Sequence, residues 1–86
     1  AFHFGSNTVL LDIHSIYFII ELVSIISHIQ HLRVERAKAL LESTLLSFDE
    51  IVERCGYQDS ASFRKLFKRD TSLTPADYRE RFRLRA

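Results

Sequence analysis

Arg64, Lys65, Lys68 and Arg69 crowd the stretch SASFRKLFKRD, residues 60–70. Cations at this density do binding rather than bond-making chemistry. Guanidinium and ammonium groups donate charge-assisted hydrogen bonds to phosphate or carboxylate oxygens. Phe63, Leu66 and Phe67 stand at i, i+3 and i+4, so one side of a helix here is apolar and anchors it. Ser60, Ala61, Arg64, Lys65 and Lys68 fall on the other sides. Small residues in the first turn let the backbone come close to a partner, and long cations follow. That arrangement suits entry into a duplex major groove, with base edges at the first turn and phosphates at the cations.

Charge along the chain points the same way. All twelve Lys and Arg lie at or after Arg33, against nine acids there. The first 32 residues hold two acids, Asp12 and Glu21, no Lys or Arg, and all four histidines. The chain thus divides into an apolar, weakly acidic segment and a basic one compatible with a polyanion.

Other chemistries find little support. No nucleophile, base and orienting group assemble at interpretable spacing, and no phosphate loop or carboxylate pair appears, so an enzyme is not expected. His28 and His31, three apart, offer a metal two nitrogens, to which His3 or His14 can add another. No Cys or acid completes the set, so no metal or other cofactor is expected. Cys55 is the only cysteine. It can form no internal disulfide, its place on an apolar side makes it a small hydrophobe, and with no visible secretory signal a reducing cytoplasm fits best.

These side chains need helices to position them. At 86 residues, 47% apolar, with two glycines and one proline, the chain is read as one all-α domain. HIQHLRVERAKALLES, residues 28–43, has helix-forming composition with Leu40 and Leu41 on one side. Ser47 with Glu50 forms a capping-box signature that opens a helix over 48–56, ended by Gly56. Asp59 or Ser60 can cap the helix over 60–70. Thr74, Pro75 and Asp77 start a last helix, in which Tyr78 and Phe82 turn inward and Arg79, Arg81, Arg83 and Arg85 spread outward.

From about Leu32 to Leu84 the chain resembles the AraC/XylS family of bacterial transcription regulators. The likeness rests on LRVERAKALLEST, SFDEIVERCGYQDSASFRKLFKR and LTPADYR. It implies a homeodomain-like helix-turn-helix domain over 28–86, with 28–43 the helix that links two helix-turn-helix units. Residues 48–56 would be the support helix of the second unit and 60–70 its recognition helix. By the same resemblance Ser60, Ala61, Ser62, Arg64 and Lys65 face bases or nearby backbone of double-stranded DNA, with Lys68 and Arg79 near phosphates. LRVERAKALLE also looks like the subgroup whose longer members carry an amidotransferase-like sensor domain. Two departures stand out. Ser72 occupies a turn position where the family usually has glycine, and the first helix-turn-helix unit is not recognisable.

In its place stands TVLLDIHSIYFIIELVSIISHIQHL, residues 8–32. Three accounts fit it. It is a buried helix that covers the domain or pairs with a second copy, a membrane segment, or an aberrant stretch from a shifted frame or rearranged gene. Glu21 at mid-span costs a membrane helix ~2.5 kcal/mol or more, which disfavours the second. Runs such as SIYFII also have strand propensity. A buried apolar helix over residues 1–27 is the preferred expectation, with a homo-oligomer through it as a possible consequence. Self-association through 8–32, with the helix-turn-helix as scaffold, is the rival to DNA binding.

Overall fold

The computed structural model describes residues 12–84. Four helices follow in order: α1 (Ile13–Ser43), α2 (Phe48–Arg54), α3 (Ser60–Thr71) and α4 (Pro75–Phe82). The expected all-α class holds, and the alternative of a strand over SIYFII does not. The apolar segment and the linking helix prove to be one element. α1 runs unbroken through residue 27, because no glycine or proline interrupts residues 13–43.

Local side chains set the helix starts. Asp12 caps α1 by accepting from the Ser15 N–H, Ser47 caps α2 from Glu50, Asp59 caps α3 from Ala61, and Thr74 caps α4 from Asp77. Of the two candidates for α3, Asp59 is therefore the cap and Ser60 the first helical residue. The box at Ser47 is half formed. Ser47 Oγ accepts from Glu50 N–H at 3.2 Å, and no return bond from the Glu50 carboxylate occurs among the described residues.

Left-handed residues follow two of the helices. α2 ends at Arg54, two residues before the expected limit, and Gly56 follows at φ +78°. Its N–H donates to the Glu53 carbonyl and that of Tyr57 to the Val52 carbonyl, the doubled closure of a Schellman motif. Ser72 takes the same hand at φ +65° and donates to the Lys68 carbonyl at 2.8 Å. The departure noted in the sequence thus sits on the one non-glycine position of positive φ among the described residues, with a cost of ~1–2 kcal/mol for a residue bearing Cβ.

The core gathers on the second half of α1. Val34, Ala37 and Leu41 meet Ile51, Val52 and Cys55 of the α2 segment, Phe63, Leu66 and Phe67 of α3, and Tyr78 of α4. Burial pushes the Cys55 thiol up against the opposing influence of Arg36 and Arg33. Phe67 meets Tyr78 edge-on at 5.6 Å. Phe82 lies 4.6 Å from Tyr78 but keeps 48% of its surface exposed, so only Tyr78 turns fully inward.

The first part of α1 does not cover its own domain, one of the two ways in which a buried helix was expected. Among the described residues of one chain nothing covers it, and large side chains from Ile13 to Leu32 stay exposed on every side. α1 projects from the packed unit, and the molecule measures 64 × 21 × 20 Å. By length and composition this helix is long and apolar enough to cross a membrane. Residues 1–11, the remainder of that expected helix, lie outside the described residues.

Candidate nucleic-acid interface

Three buried side chains orient α3. Phe63 and Phe67 are fully buried and Leu66 nearly so, and at this spacing they fix rotation as well as position. Phe63 lies 5.9 Å from the Phe48 ring and 5.0 Å from Tyr57, centroid to centroid. The opposite side of α3 therefore faces solvent, carrying Ala61, Ser62, Arg64, Lys65 and Lys68.

The first turn is tied down by two hydroxyls. Ser60 Oγ donates to Asp49 of α2 at 2.8 Å, joining the two helices across the turn. Ser62 Oγ donates to Asp59 at 2.6 Å, and the same carboxylate accepts from the Ala61 N–H at 3.1 Å. These bonds, the Ser62 hydroxyl foremost, hold the Asp59 carboxyl below its usual range. Ser60 is half-buried, so of the three small residues Ala61 and Ser62 present the more open surface.

Arg64 is not a free cation. Its guanidinium lies over the Phe48 ring at 4.6 Å from the centroid, which restrains a flexible side chain without neutralising it. Lys65 and Lys68 have no carboxylate within salt-bridge distance among the described residues, whereas Arg69 contacts Asp70 at 3.4 Å. A ligand thus meets Lys65 and Lys68 without a contact ion pair, Lys65 acting on the Asp59 carboxylate only at longer range.

Arg79 stands apart from the other candidates. Its Nε donates to the Leu41 carbonyl at 3.1 Å, and one terminal nitrogen is buried without a partner. Leu41 belongs to the last turn of α1, where carbonyls lack helical partners. Thr44 N–H and Oγ1 both reach the Leu40 carbonyl, and Leu84 N–H reaches that of Glu42. Tyr78 Oη donates to the Glu42 carboxylate at 2.7 Å, and burial with that bond raises the phenol well above its ordinary value. α4 is therefore clamped to the end of α1 by polar bonds as well as by packing.

One depression collects what the sequence had scattered. Arg64, Arg79 and Arg83 line it with the acid Glu80 and the apolar Leu41, Phe48, Pro75 and Ala76, in a space of about 420 Å³. Arg83 and Phe48 escaped the sequence reading as site residues, since nothing local ties residue 83 or 48 to residue 64. A regular pattern, the apolar residue at the start of α2 beside the capping serine, was the one signal available for Phe48.

His14, His28 and His31 do not converge into a ligating group among the described residues. No group of three or more His, Cys, Asp or Glu able to hold a metal occurs among the described residues. His31 lies 3.9 Å from Glu35, one turn along α1. His3 and Arg85 lie outside the described residues.

Comparison with known proteins agrees with this geometry. A family described as a helix-turn-helix domain matches residues 21–81, a span that begins eleven residues upstream of Leu32, where the sequence likeness starts. The HTH-type transcriptional activator RhaR of Yersinia pseudotuberculosis is 38% identical over 60 residues, covering 70% of this chain and 21% of that protein. The uncharacterized HTH-type transcriptional regulator YpdC of Escherichia coli is 37% identical over 57 residues, covering 66% and 20%. A solved structure, that of the xylose-binding transcription activator xylR, superposes with a TM-score of 0.59 at 38% identity, over 60% of this chain and 14% of that one. The chain spans about a fifth of the curated relatives it matches.

Proposed function

The chain belongs to the AraC/XylS family of helix-turn-helix transcription regulators, and on that premise we propose that it reads duplex DNA by laying α3 in a major groove. The domain is that of a regulator and not an enzyme. The carrying observation is the fixed rotation of α3: Phe63 and Phe67 are sealed in the core while Arg64, Lys65 and Lys68 face outward. Ala61 and Ser62 would then come nearest the base edges, with Ser60 bonded to Asp49 behind them.

Arg64 and Lys65 are the best placed to discriminate, a good bidentate base contact contributing ~1–3 kcal/mol. Lys68 would contact backbone phosphate. The depression shared by Arg64, Arg79 and Arg83 keeps a net positive charge beside Glu80 and would take a second phosphate, with Arg79 held partly inward by the Leu41 carbonyl. One unit alone binds duplex weakly, with a non-specific Kd on the order of 10⁻⁴ to 10⁻⁶ M at physiological salt. In this reading the chain works in the cytoplasm, where its target DNA lies.

A low-salt titration of labelled duplex tests the assignment. Arg64→Ala with Lys65→Ala is expected to weaken binding and to flatten the salt dependence by about one to two units of slope. An unchanged Kd and an unchanged slope in that double variant would overturn it.

The exposed first half of α1 favours a second activity beside this one. Its apolar surface supports self-association, which needs none of the α3 cations.

A further inference from the structure

We propose that two copies of the chain pair through the first half of α1 as an antiparallel helical pair with one defined register. Phe18, Leu22, Ile25, Ile29 and Leu32 repeat at alternating spacings of four and three, the period of a coiled-coil seam. All five are exposed, between 42% and 67%. The residues that α1 buries in its own domain, Val34, Ala37 and Leu41, lie roughly 130° round the helix from that seam. Among the described residues the domain leaves the seam open from Phe18 to Ile25, and Ile29 keeps its exposed surface beside the turn at Gly56–Asp59.

Charge decides the direction. In the antiparallel register Phe18 faces Ile29 of the second copy and Leu22 faces Ile25, which makes four apolar layers, while Leu32 at each end faces Ser15. The positions flanking the seam then bring Asp12 beside Arg33, whose half-buried guanidinium also lies 5.6 Å from the Tyr57 ring of its own domain, and Glu21 beside His28 of the second copy, while Ile19 meets Ile26. A parallel pair in register would set Glu21 against Ile26 and His28 beside Arg33, wasting the acid and crowding two basic groups. Both acids upstream of Arg33 find basic partners in one arrangement and none in the other. The two-fold axis of the antiparallel pair would also relate two α3 helices, as an inverted-repeat DNA site requires.

The occupant is thus a second copy of this chain, and sedimentation equilibrium of the full chain in detergent-free buffer at tens of micromolar tests it. Two copies are expected, twice the 10.1 kDa chain mass. Leu22→Glu with Ile25→Glu is expected to give a monomer whose far-UV circular dichroism melt is retained, since neither side chain touches the core. Register is read by oxidative crosslinking in a Cys55→Ala background. A mixture of Phe18→Cys and Ile29→Cys chains should give the mixed disulfide, while Phe18→Cys alone should not, its thiols standing roughly 16 Å apart. Asp12→Asn keeps the cap and loses the charge, so it should weaken association up to about fivefold.

A monomer of the unmodified chain overturns the proposal. So does a crosslink between two Phe18→Cys chains, which marks a parallel pair. A chain that stays in solution only with detergent, or that partitions onto phosphatidylcholine vesicles, overturns it in favour of a membrane. None of these readouts involves DNA, so failure here leaves the groove assignment standing.

Discussion

The two halves of α1 are built from similar apolar stock and meet opposite fates. From Val34 onward the helix carries a narrow stripe, Val34, Ala37 and Leu41, with polar residues around it, and the stripe vanishes into the core. From Ile13 to Leu32 apolar residues occupy every side, and twelve of the fifteen large exposed hydrophobics among the described residues lie there. Hydrophobic content alone therefore does not make a core. Segregation onto one side, matched by surfaces that α2, α3 and α4 bring back to it, does.

The sharpest way to break this contrast uses one residue type in both halves. Phe67→Ala should cost ~3–5 kcal/mol, enough to unfold most of a domain this small. Phe18→Ala, made in the monomeric Leu22→Glu, Ile25→Glu background, should lower the unfolding free energy by no more than ~0.5 kcal/mol, as for a surface site. Equal losses from the two variants would mean that the first half of α1 packs on the domain after all.

A smaller test compares the two left-handed turns. Gly56→Ala adds a Cβ with only ordinary contact to Arg33 at 3.9 Å, so its expected loss of ~1–2 kcal/mol is conformational. Ser72→Gly at φ +65° should instead gain ~0.5–1 kcal/mol, the strain relieved less the added freedom of the unfolded chain. Thermal melts of both variants check the opposite signs.

The smallest expected effect is a pH dependence. Asp59 has its folded pKa lowered from 3.8 by the Ser62 hydroxyl and the Ala61 N–H. Its stabilising contribution is therefore present above about pH 4 and is lost as pH falls through the lower folded value. Asp59→Asn keeps an acceptor for the cap. In urea unfolding the native chain should exceed that variant in stability by more at pH 6 than at pH 2.5. A gap independent of pH would remove Asp59 as an ionised cap.

Much of this was legible before any coordinates. Ser47, Asp59 and Thr74 announced helix starts, Gly56 a stop, and the Phe63–Leu66–Phe67 spacing the anchored side of α3. Ser72 stood out as a serine in a glycine's place. The sequence was less informative about α1, where two helices were expected and one was found. The isoleucine-rich run has strand propensity beside the preferred helix, and its apolarity alone does not say which surface covers it.

Helix ends, turn chemistry and the exposed cationic side of α3 came from the sequence by itself, because each depends on residues within about four positions of one another. Tertiary structure alone decided that Arg79 would bond the Leu41 carbonyl, that Tyr78 would seek Glu42, and that Arg64 would rest on Phe48. Those partners lie 38, 36 and 16 positions apart, and their meeting depends on how the chain closes its loops around a shared core. No local pattern records that closure.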